Sequence, residues 1–199
     1  YPTSTHAIRS YSPGDCYIRN TDEQAYTGKR SLKLTAVTAS GEESFFYKQT
    51  YYSSEDFDDS RYDPFFAPLV YPGQTVHLSV MPLPGEEMAT TAQIYVKNGV
   101  TGEEIRGEKV KGDGEWHALS LKIPGGQTGH ISEVGVILCG VAKGFAMGDV
   151  SAYIDDLYFD GNPDYRLDFG RMKLDSWHVT HQEVPQFAKL KGHSYLDGQ

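Results

Sequence analysis

Carboxylates outnumber the other reactive side chains in this sequence, with 27 Asp and Glu against 7 His and 2 Cys. Several come in adjacent pairs: Glu42–Glu43, Glu86–Glu87, Glu103–Glu104 and Asp155–Asp156. Two carboxylates on opposite sides of a glycosidic bond can hydrolyse it, and a retaining enzyme holds them about 5–5.5 Å apart. On a β-strand that demand reads as alternating acids on one face, such as E-x-D-x-E. Adjacent residues of a strand point to opposite faces, so none of these pairs meets it. Nucleophilic and metal chemistry fare no better. G-x-S-x-G and HExxH are missing, and His178 and His181 are three apart, on opposite faces of a strand. Cys16 and Cys139 lack any metal-binding spacing, and two buried free thiols are expected in preference to one disulfide. With no recognisable acid/base pair, the sequence predicts a chain that is not an enzyme.

One acid pair interrupts a pattern. In "AYIDDLYFDG", residues 152–161, Ala152 and Ile154 keep the two-residue rhythm of a half-buried strand, and so do Leu157 and Phe159. From Ile154 to Leu157 is three steps, with Asp155 and Asp156 at the break. A β-bulge inserts one extra residue and corrects such a change of phase.

The elements around this stretch are strands. No twelve-residue window keeps a helical apolar stripe free of Gly and Pro. "SLKLTAV" places Leu32, Leu34 and Ala36 on one face. "TVHLSVMP" does so with Val76, Leu78 and Val80, "TAQIYVK" with Ala92, Ile94 and Val96, and "WHALSLKIP" with Leu119, Leu121 and Ile123. "SFFYKQTYY" is aromatic on both faces, and "GEEIRGEKVKGDGE" reads as an exposed strand. "ISEVGVILCG" is apolar on both faces, as a central strand would be. The expected fold is all-β: an antiparallel jelly-roll β-sandwich of about nine strands over residues 1–161. "GNPDY" marks a boundary, after which residues 162–199 form a C-terminal extension or the start of a following module.

Residues facing away from the predicted core are the candidate ligand contacts. Sugars are held by aromatic faces against their C–H groups and by hydrogen bonds to their hydroxyls. Tyr95, flanked by Gln93, His77 and Lys97, is the expected platform on one sheet face. Tyr51 and Tyr52, in the long aromatic segment 50–73, offer an alternative at the end of the sandwich. Trp116 is read as a core or lid residue.

The formal net charge of −9 disfavours nucleic acid, and among polysaccharides it favours neutral ones. No apolar run is long enough for a membrane helix. The chain does not begin with Met and reads as a piece of something longer.

Taken in order, "TGKRSLKLTA", "YPGQTVHLSVMP", "DGEWHALSLKIP" and "AYIDDLYF" resemble the galactose-binding-like jelly-roll carbohydrate-binding modules appended to bacterial glycoside hydrolases and polysaccharide lyases. The resemblance spans about 150 residues and implies an extracellular or periplasmic bacterial protein. It would be a non-catalytic module that binds a neutral polysaccharide or oligosaccharide beside an adjacent catalytic domain. A spacer sandwich packed on that domain is the alternative, and a stand-alone hydrolase or lyase the third. The resemblance also implies a structural calcium ion. Asp155 or Asp156 would be its side-chain ligand, with carbonyls of the turn containing Gly28 and Ser31 opposite and Asp22 or Glu23 as a second carboxylate. Calcium takes six to eight hard oxygens at about 2.3–2.6 Å, which suits this set. The acidic residue that such modules carry in their first strand has no clear counterpart here. The competing reading of the doublet is a solvated strand edge paired with Arg30.

Overall fold

A computed structural model describes residues 8–10, 16–38, 40–48, 70–126, 131–145 and 147–161. Ten strands run through them: β1 (Ile8–Ser10), β2 (Cys16–Thr21), β3 (Ser31–Thr38), β4 (Ser40–Lys48), β5 (Thr75–Pro82), β6 (Met88–Asn98), β7 (Glu104–Lys111), β8 (His117–Lys122), β9 (Ile131–Ala142) and β10 (Gly148–Asp160). No helix occurs among the described residues. The strands form two antiparallel five-stranded sheets, ordered β1-β4-β9-β6-β7 and β2-β3-β10-β5-β8. Tyr51, Tyr52 and the extension 162–199 lie outside the described residues.

The period-two pattern sets which residues the sheets bury between them. Leu32, Leu34 and Ala36 of β3 meet Ala92, Ile94 and Val96 of β6 in one core, joined by Val76, Leu78, Val80, Leu119, Leu121 and Ile123. These are the inward sets expected from alternation. β9, apolar on both faces, lies at the centre of its sheet between β4 and β6. Its Val134, Val136 and Leu138 join the core, while Ile137 faces outward into a small cluster with Phe46 and Tyr95. Cys16 and Cys139 sit on strands of different sheets, each half-buried rather than buried, and form no disulfide with each other.

Bulges keep the pattern in phase, two of them near the candidate sites. On β10, Asp155 lies opposite Ser79 and Tyr158 opposite His77, three steps against two on β5. Asp156 takes up the extra residue with φ of 51°, the one non-glycine with positive φ among the described residues. The left-handed region is tolerated by Asp better than by most side chains. Leu157 and Phe159 thereby return to the core with Ala152 and Ile154. On β7, Lys109 lies opposite Gln93 and Arg106 opposite Tyr95. Arg106 and Lys109 therefore share the outer face although they are three apart, a feature the sequence reading of an exposed strand did not include.

The close approach of β4 to β9 depends on Gly135. A Cβ at Gly135 would lie 2.0 Å from the Phe45 carbonyl oxygen and 2.7 Å from the Phe46 Cα. Gly135→Ala therefore forces β4 off β9. It is expected to destabilise by about 3 kcal/mol, roughly 6–12 °C in Tm. A Cβ at Gly144 meets nothing within 4 Å, so Gly144→Ala is expected to melt within about 2 °C of the parent. Paired thermal melts check both, and equal melting of the two variants would contradict the close approach.

Candidate functional site

The two outer faces of the sandwich differ in chemistry. On the first sheet, β4, β6, β7 and β9 present a polar network around the cluster of Phe46, Tyr95 and Ile137. Arg106 donates to both oxygens of Glu42, at 3.0 and 2.9 Å, and forms an ion pair with Glu104 at 2.9 Å. Gln93 donates to the Gly107 carbonyl at 2.7 Å, bracing the β7 bulge. The Tyr95 hydroxyl donates to Glu133 at 3.1 Å, and Lys97 approaches the other Glu133 oxygen at 3.7 Å.

Tyr95, Gln93 and Lys97 thus share one face, as alternation on β6 predicts. The ring of Tyr95, however, is 0 % exposed. It is therefore a buried support for Glu133 and not an open stacking surface. His77 does not join them. β5 belongs to the other sheet, between β10 and β8, so its outward side chains emerge on the opposite side of the sandwich. Alternation gives the parity of a residue within its strand but not the sheet to which that strand belongs. Arg106, Glu42 and Glu133 escaped the sequence reading. Their signal is cross-strand register, which no single strand displays.

On the second sheet the segment between β2 and β3 folds over the outer face and covers Asp155, which is 0 % exposed. One carboxylate oxygen accepts the Tyr26 and Thr27 backbone N–H groups at 2.8 and 2.9 Å. The other accepts the Asp156 N–H at 2.7 Å. Three charge-assisted bonds offset the desolvation of one buried anion. The Ser31 hydroxyl closes the same turn by donating to the Gln24 carbonyl at 2.7 Å.

This is not the solvated edge expected as one reading of the doublet. Burial of Asp155 replaces the solvated edge, and Arg30 donates to Asn20 at 2.6 Å. Among the described residues, neither Glu23 nor Asp22 joins Asp155 as the second carboxylate expected of a calcium site. Glu23 is drawn to Arg19, to Lys33 at 3.2 Å and to the Tyr153 hydroxyl at 2.6 Å. The Tyr153 hydroxyl and the Lys33 ammonium hold its carboxyl below the usual range. Asp22 is exposed, and Gly28 supplies a turn with φ of 64°. Among the described residues no three His, Cys, Asp or Glu side chains come together to hold a metal. Three backbone N–H groups, of Tyr26, Thr27 and Asp156, converge on Asp155.

The held segment brings aromatics together. Tyr26 and Trp116 form a tilted pair, with ring centroids 5.5 Å apart and planes at 53°. Beside them His77 stacks on Tyr158 at 4.5 Å, and its Nε2 meets Asp160 at 3.1 Å. Burial, then the Asp156 and Asp160 carboxylates, raise the Tyr158 hydroxyl above its ordinary pKa.

No protein-family model matches the sequence, and no curated protein matches it. Among solved structures, the chain is similar to one of carbohydrate-binding modules from the beta-sandwich superfamily, described in terms of their promiscuous specificity. The TM-score is 0.55 at 15 % identity, covering 79 % of this chain and 58 % of that one. The chain therefore spans little more than half the length of that structure. It also aligns with the C-terminal family 22 carbohydrate-binding module of Clostridium thermocellum Xyn10B, at TM-score 0.46 and 13 % identity, covering 81 % of this chain and 89 % of that one. A third alignment is with TmCBM61 in complex with beta-1,4-galactotriose, at TM-score 0.42 and 16 % identity, covering 77 % and 86 %. The first likeness shows the fold: an antiparallel jelly-roll β-sandwich.

Removing the Asp155 carboxylate orphans three backbone donors. Asp155→Ala is expected to destabilise by roughly 3 kcal/mol, about 1–3 kcal/mol for each buried donor left unsatisfied after partial relaxation. Thermal melts of variant and parent measure the difference. In the parent, EDTA and added calcium chloride are expected to give coincident melts, because the turn is held by N–H groups. A calcium-dependent rise in Tm would show an oxygen cage instead.

Proposed function

We propose that this chain is a non-catalytic carbohydrate-binding module that contacts a neutral polysaccharide through the outer face of its first sheet. The observation that carries this is the network of Gln93, Lys97, Arg106, Glu42 and Glu104 around the buried Phe46–Tyr95–Ile137 cluster, on the outer face of one sheet of a sandwich with that fold. Amide, guanidinium, ammonium and carboxylate groups suit hydroxyl partners, which both donate and accept. The net charge of −9 favours an uncharged glycan.

The same network argues against turnover. A general acid must keep its proton until the transition state. Glu42 and Glu104 instead share one guanidinium, at 2.9 Å to each. In this reading the module belongs to a larger secreted enzyme and raises the effective concentration of a neighbouring catalytic domain at its polysaccharide. A bacterial origin and an extracellular or periplasmic setting go with it. The spacer reading is favoured by one observation, the burial of the Tyr95 ring.

Native gels cast with xylan, β-1,4-galactan, mixed-linkage β-glucan or mannan separate the two. Retardation in at least one gel is expected, and equal mobility in all of them supports the spacer. Replacing Gln93, Lys97 and Arg106 together by Ala is expected to weaken retardation at least about tenfold, a loss of roughly 1.4 kcal/mol. The Arg106 pairs are exposed and contribute little to stability, but Lys97 faces the buried Glu133, so circular dichroism must show the variant folded before its retardation is read.

A further inference from the structure

We infer that the outer face of the second sheet carries another carbohydrate-contacting strip, running along β8 between the Tyr26–Trp116 and His77–Tyr158 pairs. The inference rests on the carbohydrate-binding reading above and adds a site to it.

Register lays out the strip. Ser79 of β5 lies opposite Asp155 on one side and Ala118 on the other. His77 lies opposite Tyr158 and Ser120 in the same way. Tyr26 is fixed over the first of these rows by its N–H bond to Asp155, and its ring reaches Trp116 at the entrance to β8. From Trp116 to Ser120 is four residues, about 13 Å of strand. Trp116 stands at one end and His77, opposite Ser120 across the sheet, at the other, with the small, exposed side chain of Ala118 between them. β8 is an edge strand, so one long side of the strip is bounded by no further strand of its sheet.

The chemistry selects the occupant. Among the described residues, the large apolar side chains exposed at 56 % or more, other than Tyr17, are Val100, Val141, Phe145 and Met147, which lie on β9 or in the β6–β7 and β9–β10 turns. On the strip the large apolar groups are rings: Tyr26, 44 % exposed, with Trp116, Tyr158 and His77 half-buried. A protein partner is packed largely by aliphatic and aromatic side chains interdigitating in a dry centre. Rings separated by a low floor, with the Ser120 hydroxyl and the Asp160 carboxylate at one end, suit pyranose C–H faces and their hydroxyls. The trough is therefore assigned to a glycan chain lying along β8.

The sequence has 2 Trp, Trp116 and Trp177, so Trp177→Phe leaves Trp116 as the sole indole reporter in the full chain. Xylohexaose and β-1,4-galactotriose are the soluble probes, alongside the four gels described above. The expected result is a saturable change in Trp116 emission with at least one probe, abolished by Ala118→Arg, which fills the floor at an exposed edge position. Trp116→Ala and Ala118→Arg should each weaken gel retardation roughly three- to tenfold, the range of one aromatic contact. Unchanged emission in a protein that the gels retard, or a change that survives Ala118→Arg, overturns the strip and leaves the first-sheet reading standing. No retardation of the parent in any gel overturns both.

Discussion

A single carboxylate with three N–H partners organises one side of this molecule. Asp155 stands on the outer face of the second sheet, where a strand residue is ordinarily wet, yet it is fully buried. It is buried because the segment between β2 and β3 lies across it and hands it the Tyr26 and Thr27 amides. The arrangement is mutual. Without the anion these amides would be unsatisfied donors, and without the amides the anion would be a desolvated charge. The bulge at Asp156 is part of the same device, since its N–H completes the set. The extra residue also returns Leu157 and Phe159 to the core. One local irregularity therefore serves both the inner packing and the outer cover.

The consequence for binding is positional. Tyr26 reaches Trp116 only because its backbone is fixed over β10, so the aromatic pair is placed by a hydrogen bond some distance from either ring. The first sheet obtains its order differently, through the β7 bulge that sets Arg106 opposite Tyr95 and lets Gln93 brace the Gly107 carbonyl. Both faces show a rigid scaffold that holds polar and aromatic groups at fixed spacing, the arrangement that lowers the entropy lost when a flexible chain is bound.

Much of the scaffold was legible in the sequence, because alternation is a local property. Leu32, Val76, Ile94 and Leu119, each with its partners two residues away, declared their inward faces, and β9 declared its central place by being apolar on both. The break at Asp155–Asp156 announced a bulge. Pairing is not local, and there the reading failed. His77 was set beside Tyr95, although β5 and β6, adjacent in sequence, belong to different sheets. The partners of the doublet are equally non-local. An Asp that binds calcium and an Asp that binds backbone amides look alike as letters, and what decides between them is the orientation of a segment some 130 residues earlier. Trp116, read as a lid or core residue, is half-buried against Tyr26. Its role depends on that same distant segment.

The central claim is that the second-sheet face is built on amide donors closing over Asp155. Hydrogen–deuterium exchange of the individual Tyr26 and Thr27 amides, followed by NMR in metal-free buffer, tests it most directly. These residues lie outside any strand, yet the account predicts exchange slowed to the level of neighbouring β10 amides. Exchange at the rate of an open loop in metal-free buffer would contradict it.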